Sequence, residues 1–312
     1  MTLKKKRAEK KSGPCLKDLL RFLPMTWRSR PDYWGLIVVP DWAMCEQGRR
    51  QSPINIDPAK LLYDPHLRPL HIDRLRLRGQ LSNNGHNLVY KPSNDSSDVH
   101  LTISGGPLAY HYTFHAIHVH FGMKDALGSE HTVNDRAFPA EIQIIFYNSD
   151  LYANISEAKH LPLGVATISL LAQVGKVPNA ELSVVLRNVS HLTYKGLDVG
   201  NLHLSICELL PDTKQYITYD GSLTTPGCYE SVTWVIMNKP IYITSQQLNE
   251  MRALFQGTKL YPGAPLGNNY RPPQPIYHRP LRTNIDFNFK QSRTCPTMKY
   301  ETYYQANVLS KR

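Results

Sequence analysis

The sequence has no apolar run long enough to cross a bilayer, so we expect no membrane-spanning helix. It has no Cys-X-X-Cys pair, which argues against a structural zinc knuckle, and it has no internal repeat. Its N-terminal apolar stretch, residues 19–23, is short and interrupted by Arg21, which makes it a poor signal peptide. We therefore expect either an intracellular chain or an alternative or incomplete start.

Acidic residues are scarce near the N-terminus, and this asymmetry accounts for most of the net charge of +11. Residues 1–30 carry ten Lys and Arg against Glu9 and Asp18, whereas the other 282 residues carry 26 basic and 23 acidic side chains. A basic tail is more often a solvated arm than a nucleic-acid element. We predict a basic, disordered extension over residues 1–30 and no nucleic-acid binding by the remainder.

Cysteine is sparse, and its number is odd, so the five cysteines cannot all pair within one chain. Two interpretations follow: several buried thiols in a cytosolic protein, or one disulfide with unpaired cysteines left over. Three Asn-X-Ser sequons add little support for secretion, because about two are expected by chance at this asparagine content. The cysteines are Cys15, Cys45, Cys207, Cys228 and Cys295, and the sequons begin at Asn94, Asn154 and Asn188.

Short strand-like segments separated by turns dominate the rest of the chain. With 312 residues, 41% of them hydrophobic, the chain can bury one large core or two ordinary ones. Helical patterns are few: residues 245–255, with Ser245 as the expected N-cap, and residues 179–186. We predict one large, mostly β domain over residues 31–290 and a polar tail over residues 291–312. The predicted strands are residues 75–81, 88–91, 99–104, 110–120, 140–147, 165–174, 215–219, 231–237 and 241–243.

The most informative stretch is residues 112–147. His118 and His120 lie two residues apart in a strand-like segment, and alternate residues of a strand point to the same face. A turn-like segment follows, and then a second strand-like run over residues 140–147. If the two strands pair, Gln143 can lie beside the two histidines. Two imidazoles and a carboxamide would then meet, one imidazole short of a zinc site.

Several separated motifs closely resemble the α-carbonic anhydrases. They occur in order over residues 33–290, and so many ordered matches make coincidence negligible. The resemblance implies a single domain around a large twisted, mainly antiparallel sheet, in which a conical cleft leads to a zinc held by three histidines on neighbouring strands. The motifs are Tyr33-Trp34-Gly35, Gln51-Ser52-Pro53-Ile54-Asn55-Ile56, Asn84-Gly85-His86, His118-Val119-His120-Phe121-Gly122, Gly128-Ser129-Glu130-His131-Thr132-Val133, Ala140-Glu141, Tyr219-Asp220-Gly221-Ser222-Leu223-Thr224-Thr225-Pro226 and Asn269-Tyr270-Arg271-Pro272.

The resemblance also assigns roles to residues around the metal. In the family, three imidazoles and one water make an open zinc site, and the metal lowers the pKa of the water to about 7. By resemblance, Thr224 would accept the hydrogen bond of the hydroxide and would be oriented by Glu130. His86 would carry protons to solvent. The carbon dioxide pocket would be lined by Ile145, Thr167, Leu223, Thr225 and Trp234.

The sequence departs from the family pattern close to the metal position. Gln143 occupies the third histidine position, and a carboxamide oxygen is a weaker zinc donor than imidazole. The amide that accepts a hydrogen bond from the first histidine falls on Ala116, and such partners account for ~10–100-fold in metal affinity or activity. Glu141 is kept and would face the N–H₂ group of Gln143. Thr167 replaces a valine, and Phe121 replaces a tryptophan.

Without the resemblance, we would interpret the histidines as structural. His118 and His120 would be core histidines with satisfied hydrogen bonds, and His86 would be an exposed loop residue. The resemblance changes the interpretation of His118 and His120 to inherited ligand positions. The other histidines of this region, His111, His115 and His131, are predicted to be structural or surface residues.

Within the family, the chain resembles the secreted carbonic anhydrase-related proteins, the branch numbered ten and eleven in vertebrates. This resemblance rests on Gln143, on the run Tyr219-Asp220-Gly221-Ser222-Leu223-Thr224 and on the run Trp234-Val235-Ile236-Met237-Asn238-Lys239-Pro240-Ile241-Tyr242-Ile243-Thr244. Members of this branch are acatalytic and lack full zinc ligation, although they usually lose the first histidine as well, and His118 is present here. The resemblance implies a secreted, neuronal glycoprotein with neurexin-like cell-surface partners. It implies no resident cofactor, with weak zinc binding as the alternative.

The resemblance also implies one disulfide, between Cys45 and Cys228. In the chain-entropy model such a long closed loop contributes ~4–5 kcal/mol at most, and its presence favours an oxidising compartment. Cys207 is then expected to be a buried thiol in a strand. Cys15 and Cys295 could bridge each other or another chain.

Two hypotheses of different classes follow. The favoured one is an extracellular binding protein with a disabled zinc site. The alternative is a weak carbonic anhydrase, which would hydrate carbon dioxide to bicarbonate with His118, His120 and Gln143 or a water as ligands. Losing one imidazole would remove several of the ~10–16 kcal/mol typical of tight zinc sites. An intracellular protein that uses its basic extension on anionic surfaces is the least favoured hypothesis.

Overall fold

A large mixed sheet forms the centre of the protein. The computed structural model describes residues 42–93 and 100–287, and in these residues thirteen strands form one sheet and two more form a parallel pair. The prediction of a mainly β fold around a mostly antiparallel sheet is confirmed. The predicted extension 1–30, the tail 291–312 and the domain bounds at residues 31 and 290 lie outside the described residues.

The strands are numbered β1 to β15, and the described α-helices, which are short, α1 to α5. The strands are Asn55–Ile56, Leu62–Tyr63, Leu70–Ile72, Arg76–Asn83, Leu88–Pro92, Thr102–Gly105, Leu108–Phe121, Thr132–Val133, Ala140–Asn148, Val165–Val174, Asp198–Ser205, Tyr216–Gly221, Val232–Met237, Ile241–Ile243 and Arg282–Thr283. The helices are Met44–Gln47, Ile155–Ala158, Ala180–Leu186, Ile206–Leu209 and Ser245–Arg252, and 3₁₀ turns cover Pro58–Lys60 and Val189–Leu192. No helix in this described part of the chain is long and apolar enough to span a membrane.

The sheet places its longest strands at its centre. The strand order is β11-β4-β5-β7-β9-β10-β13-β12-β15-β2, with β14 beside β10, β6 beside β7 and β3 beside β6. Most neighbours are antiparallel, whereas β10 runs parallel to β13 and β14, and β15 runs parallel to β2. The central strands β7, β9 and β10 are 14, 9 and 10 residues long. The two histidines of the sequence motif therefore lie on the strand at the middle of the sheet.

Both faces of the central strands are buried, because apolar side chains occupy both sides of the pleat. On β9, Ile142 and Ile144 belong to one core cluster, whereas Ile145 belongs to a second cluster around Tyr219 and Trp234. Since side chains alternate along a strand, Gln143 shares the face of Ile145. The second cluster thus borders the face on which the site lies.

The predicted strands are found close to their expected positions. Two are confirmed to the residue, as Val165–Val174 and Ile241–Ile243, and the other predicted strands end within about three residues of the observed ones. The edge strand β11, Asp198–Ser205, was not predicted. Gly200 and Asn201, the latter at a φ of 59°, lie where its pairing with β4 shifts register, and this interruption hides the alternation in the sequence.

The two predicted helices form, with one correction. The helix predicted over residues 245–255 begins at Ser245 and ends at Arg252, but its N-cap is Thr244 and not Ser245. The Thr244 hydroxyl accepts a hydrogen bond from Gln247 N, and the Gln247 side chain accepts one from Thr244 N, which makes a capping box. Thr244 has the extended backbone that an N-cap needs, and Ser245 is already helical. The second helix, Ala180–Leu186, is capped by the Asn179 side chain.

Candidate functional site

Strand pairing brings the two histidines and the glutamine together. β7 and β9 run antiparallel, with His118 opposite Gln143 and His120 opposite Glu141. Because residues directly opposite each other share a face, all four side chains point to the same side of the sheet. β10 continues this face, with Ser169 opposite Gln143. We call His118, His120 and Gln143 the site floor. It is built on rigid central strands.

The amide of Gln143 is held by two carboxylates. Its Nε2 donates to Glu130 Oε2 at 2.6 Å and to Glu141 Oε1 at 3.1 Å. Its Oε1 lies 3.4 Å from the hydroxyl of Thr224, which donates to it. Two carboxylate acceptors require the nitrogen end of the amide, so its orientation follows from its partners. The contact with Glu141 is the one that the sequence predicts.

Glu130 differs from the expectation that it orients Thr224. Its Oε1 accepts a hydrogen bond from Arg271 N at 2.9 Å, and its Oε2 accepts the one from Gln143. The Thr224 hydroxyl is directed to the Gln143 carbonyl instead. Gln143 thus occupies the Glu130 oxygen that a hydrogen bond from Thr224 would need. The glutamine at position 143 therefore changes the hydrogen bonds of both Glu130 and Thr224.

Behind the site floor lies a fully bonded layer, which we call the support layer: Glu130, His131, Glu141, Ser169 and Tyr219. Glu141 accepts hydrogen bonds from the backbone N–H of Glu130 and His131, from His131 Nδ1 and from Ser169 Oγ, at 2.8–2.9 Å. His131 Nε2 lies 2.6 Å from the Tyr219 hydroxyl. Burial opposes ionisation of Glu141, but His131 outweighs it and holds the pKa of this carboxyl below its ordinary value.

His120 has one satisfied and one unsatisfied nitrogen. Its Nδ1 lies 2.8 Å from the backbone oxygen of Asn269, which fixes this nitrogen as the donor. Its Nε2 is buried with no hydrogen-bond partner in the described residues. Buried polar atoms normally have a partner, so this nitrogen calls for an explanation such as an absent ion or water.

His118 lies beside this nitrogen at the surface of the cleft. Burial, and after it the charge of His120, lowers the pKa of His118 to about 3, so the ring is neutral at physiological pH. The ring has no hydrogen-bond partner in the described residues. The position from which an amide would support it is the fully buried methyl of Ala116. The ring is consequently held by packing alone.

A cleft of about 560 Å³, counted with its open mouth, rises from the site floor. All five residues of the predicted carbon dioxide pocket line it, together with His118, Gln143 and Thr224. Three further residues line it that were not predicted to do so: His115, Ile155 and Lys159.

His115 lies in the cleft because β7 contains a bulge. The register with β9 shifts between Phe114 and Ala116, so His115 is the extra residue. Without the bulge, the odd spacing from His118 would send His115 to the opposite face. Burial, and after it the charge of Lys91, lowers the pKa of His115 to about 4. No pattern in the sequence marks the bulge, so the prediction of a structural or surface residue missed this position.

His86, the expected proton carrier, lies outside this lining. It is exposed in the turn after β4, where its backbone N–H donates to the Asn84 side chain. Partial desolvation of the ring, and after it the charge of Lys195, lowers the pKa of His86 below its ordinary value. Of the other histidines, His111 is exposed and contacts Asp150.

The predicted disulfide between Cys45 and Cys228 is confirmed, with an S–S distance of 2.10 Å. It is linked to the site, because Arg271 donates through its guanidinium to Cys45 O and through its backbone to Glu130. Cys207 forms no disulfide in the described residues. It is only half-buried and lies in the short helix Ile206–Leu209, so the prediction of a buried thiol in a strand is wrong. Cys15 and Cys295 lie outside the described residues.

The sequons occupy different environments. Asn154 is exposed and caps helix α2, with its side chain accepting from Glu157 N. Asn188 is partly buried at the 3₁₀ turn Val189–Leu192. Asn94 lies outside the described residues.

The donor set does not match a tight zinc site. In residues 42–93 and 100–287, no group of three His, Cys, Asp or Glu side chains is arranged to hold a metal ion. Two imidazoles and one amide oxygen are available at the site floor, and that oxygen accepts a hydrogen bond from Thr224. Zinc prefers nitrogen and sulfur ligands and charged carboxylates to a neutral amide.

Comparisons with known proteins show the family of the chain. The family model for eukaryotic-type carbonic anhydrases matches residues 29–285. The chain is 43% identical over 287 residues to a Caenorhabditis elegans protein named "Putative carbonic anhydrase-like protein 2", covering 89% of this chain and 84% of that protein.

Proposed function

Because the chain belongs to the eukaryotic-type carbonic anhydrase family, we propose that it is a carbonic anhydrase-related protein with a disabled zinc site, which acts by binding another protein. The observation that carries this proposal is the position of Gln143. It stands where the third imidazole would be, and its amide nitrogen is bound by Glu130 and Glu141. The side chain is thus part of the buried hydrogen-bond network and offers only a neutral oxygen to the cleft.

A second loss supports the proposal. In an active site of this type, a hydroxyl and a carboxylate orient the attacking oxygen. Here the Oε2 of Glu130 is occupied by Gln143, and Thr224 donates to Gln143. Both the metal ligands and the orienting pair are therefore altered by the same residue.

A weak zinc-dependent carbonic anhydrase is the second candidate function. It is favoured by the buried Nε2 of His120, which has no partner in the described residues, and by the unpaired ring of His118. A buried imidazole nitrogen without a partner has a free-energy cost, which binding a cation through that nitrogen would relieve. Gln143 or a water would then complete the ligand set.

Zinc binding and carbon dioxide hydration separate the two candidates. We would compare the full chain with Gln143→His and with Gln173→His, which adds an imidazole at an exposed position of β10. The binding-protein proposal expects no sulfonamide-sensitive hydration in the parent or in Gln173→His with zinc in excess, and stoichiometric zinc with measurable hydration in Gln143→His. Sulfonamide-sensitive turnover by the parent chain would establish the enzyme instead. An inert, metal-free Gln143→His variant would show that the pocket itself has collapsed or is blocked.

We further propose that the protein acts outside the cell. A disulfide closing a loop of 183 residues is typical of an oxidising compartment and supports this location. By family resemblance, the partner is a neurexin-like cell-surface protein. Labelled full-length chain should bind saturably to intact cultured neurons, and a soluble neurexin ectodomain should compete. Binding no greater than that of a carbonic anhydrase with three histidine ligands would contradict the proposal.

A further inference from the structure

The lining of the cleft combines apolar and hydrogen-bonding side chains. The apolar ones are Ile145, Ile155, Leu223 and Trp234. Five polar side chains besides Gln143 and Thr224 line the cleft as well, and we call them the donor wall: His115, His118, Lys159, Thr167 and Thr225. A pocket with a broad apolar surface and a few convergent polar groups is the usual form of a small-molecule site.

The side chains of the donor wall are unpaired. In the described residues, none of the five forms a hydrogen bond or an ion pair through its side chain. Four of these residues are partly exposed, and Thr167, which is 1% exposed, also lines the cleft. Their hydrogen-bonding atoms are therefore open to the cleft, where a ligand or ordered water can pair with them.

The charge of the donor wall has one sign. Lys159 contributes an ammonium group, and among the described residues no Asp or Glu lines the cleft. Lys91 adds a second positive charge on the same face of the sheet, because Val89 pairs with His118 and Lys91 follows Val89 by two residues. An ammonium group donates only, and a neutral imidazole always presents one N–H. The wall therefore favours an acceptor with negative charge.

We propose that this cleft binds a small monocarboxylate, with its carboxylate on the donor wall near Lys159 and His115 and its apolar body against Trp234 and Ile145. A planar carboxylate accepts several hydrogen bonds at once, and charge-assisted hydrogen bonds are the strong ones. A simple inorganic anion is a poorer fit, because it would leave the four apolar side chains of the lining uncovered. The bulge that turns His115 into the cleft then has a role in binding.

This inference goes beyond the proposed function and does not depend on zinc. A free organic acid and the C-terminus of a polypeptide both carry such a carboxylate, and the same chemistry recognises both. The test is therefore made in metal-free buffer, so that its result is separate from the outcome of the zinc experiment.

Benzoate is the first probe, with benzamide as its uncharged counterpart of equal size. Calorimetric titration of the full chain should give a Kd of about 0.1–1 mM for benzoate and at least about tenfold weaker binding of benzamide. Quenching of tryptophan fluorescence by benzoate should follow the same curve, because Trp234 lines the cleft. No saturable binding of benzoate up to about 10 mM, or equal binding of benzamide, would overturn the proposal.

Variants locate the bound carboxylate. Lys159→Met removes the ammonium group and keeps the length of the side chain. We expect it to weaken the binding of benzoate at least about tenfold and to leave the binding of benzamide unchanged. His115→Phe should weaken benzoate through loss of one donor. Lys176→Met, in an exposed loop after β10, is the matched control and should bind as the parent does. Equal loss of binding in the Lys159 and Lys176 variants would place benzoate elsewhere and refute the assignment.

A pair of peptides identifies the source of the carboxylate. Acetyl-Ala-Phe is compared as the free acid and as the C-terminal amide. Tighter binding of the peptide acid than of benzoate would assign the cleft to a polypeptide C-terminus, and tighter binding of benzoate would assign it to a free acid. Both results support carboxylate recognition. Equal binding of peptide acid and peptide amide would contradict it.

Discussion

The support layer and the donor wall lie within one site, yet they differ in how completely their polar groups are bonded. In the support layer, Glu141 alone accepts five hydrogen bonds, including the one from Gln143. In the donor wall, no side chain has a hydrogen-bond partner among the described residues. The first region is enclosed and must satisfy its polar groups internally, whereas the second faces an open cleft. The bonded layer satisfies its polar groups internally, whereas the open wall leaves its polar groups available to a ligand.

Removing the centre of the support layer should have the largest effect. Glu141→Ala leaves the backbone N–H groups of Glu130 and His131, and the His131 side chain, without their acceptor. We expect the free energy of unfolding to fall by about 3–5 kcal/mol, as is typical when one partner of a buried charged network is lost. Urea unfolding followed by circular dichroism measures this loss.

The control for this variant is Glu46→Ala, an exposed carboxylate, which should change the free energy of unfolding by less than about 0.5 kcal/mol. A loss below about 1 kcal/mol in Glu141→Ala would mean that water or neighbouring side chains replace the carboxylate. The contrast between the two regions would then not hold.

Loss of the disulfide should have the next largest effect. The Cys45→Ala, Cys228→Ala double variant opens a loop of 183 residues. We expect its free energy of unfolding to fall by about 2–4 kcal/mol. The effect should reach the support layer, because Arg271 joins Cys45 O to Glu130. Urea unfolding of the double variant measures the loss, and Cys207→Ala serves as the control. A double variant as stable as that control would show that the support layer is held without the covalent link.

Much of this arrangement follows from local rules, and part of it does not. The side-by-side placement of His118 and Gln143 follows from the period of two in a strand and from the family resemblance. The rotation of the Gln143 amide towards Glu130 does not, because it depends on which acceptors surround it in three dimensions. The position of His115 in the cleft is not predicted, because a bulge breaks the alternation of the strand. The position of Lys159 is not predicted either, because it lies at the end of a short helix outside the strands of the site. Thr244 and Ser245 are both good N-caps in sequence, and only the backbone distinguishes them.

The donor wall should be sensitive to acid in a way that the support layer is not. His115 has a pKa of about 4 in the folded chain against 6.5 unfolded, so below pH 6.5 the unfolded chain takes up a proton that the fold resists. Stability should be constant above this pH and should fall by about 2–3 kcal/mol from His115 alone between pH 6.5 and pH 4. The pKa of His118 is also lowered, so this residue adds to the same fall in the free energy of unfolding as the pH decreases.

His115→Phe should therefore reduce the difference in the free energy of unfolding between pH 7.5 and pH 4.5. The exposed His203, replaced by Phe, is the control and should keep the slope of the parent chain. An unchanged slope in His115→Phe would indicate that the His115 ring reaches water in the native state and that its burial does not oppose protonation.

The smallest effect is expected from Thr224, which lies where the two regions meet. Its hydroxyl makes one long hydrogen bond, 3.4 Å from Gln143 Oε1, and both side chains line the open cleft. We expect Thr224→Val to cost about 0.5 kcal/mol in urea unfolding, because water in the cleft can replace the lost donor. Thr224→Ser keeps the hydroxyl and separates this effect from the loss of the methyl group. A cost above about 2 kcal/mol for Val but not for Ser would place Thr224 within the support layer, since only a group shielded from water has such a cost when its partner is removed.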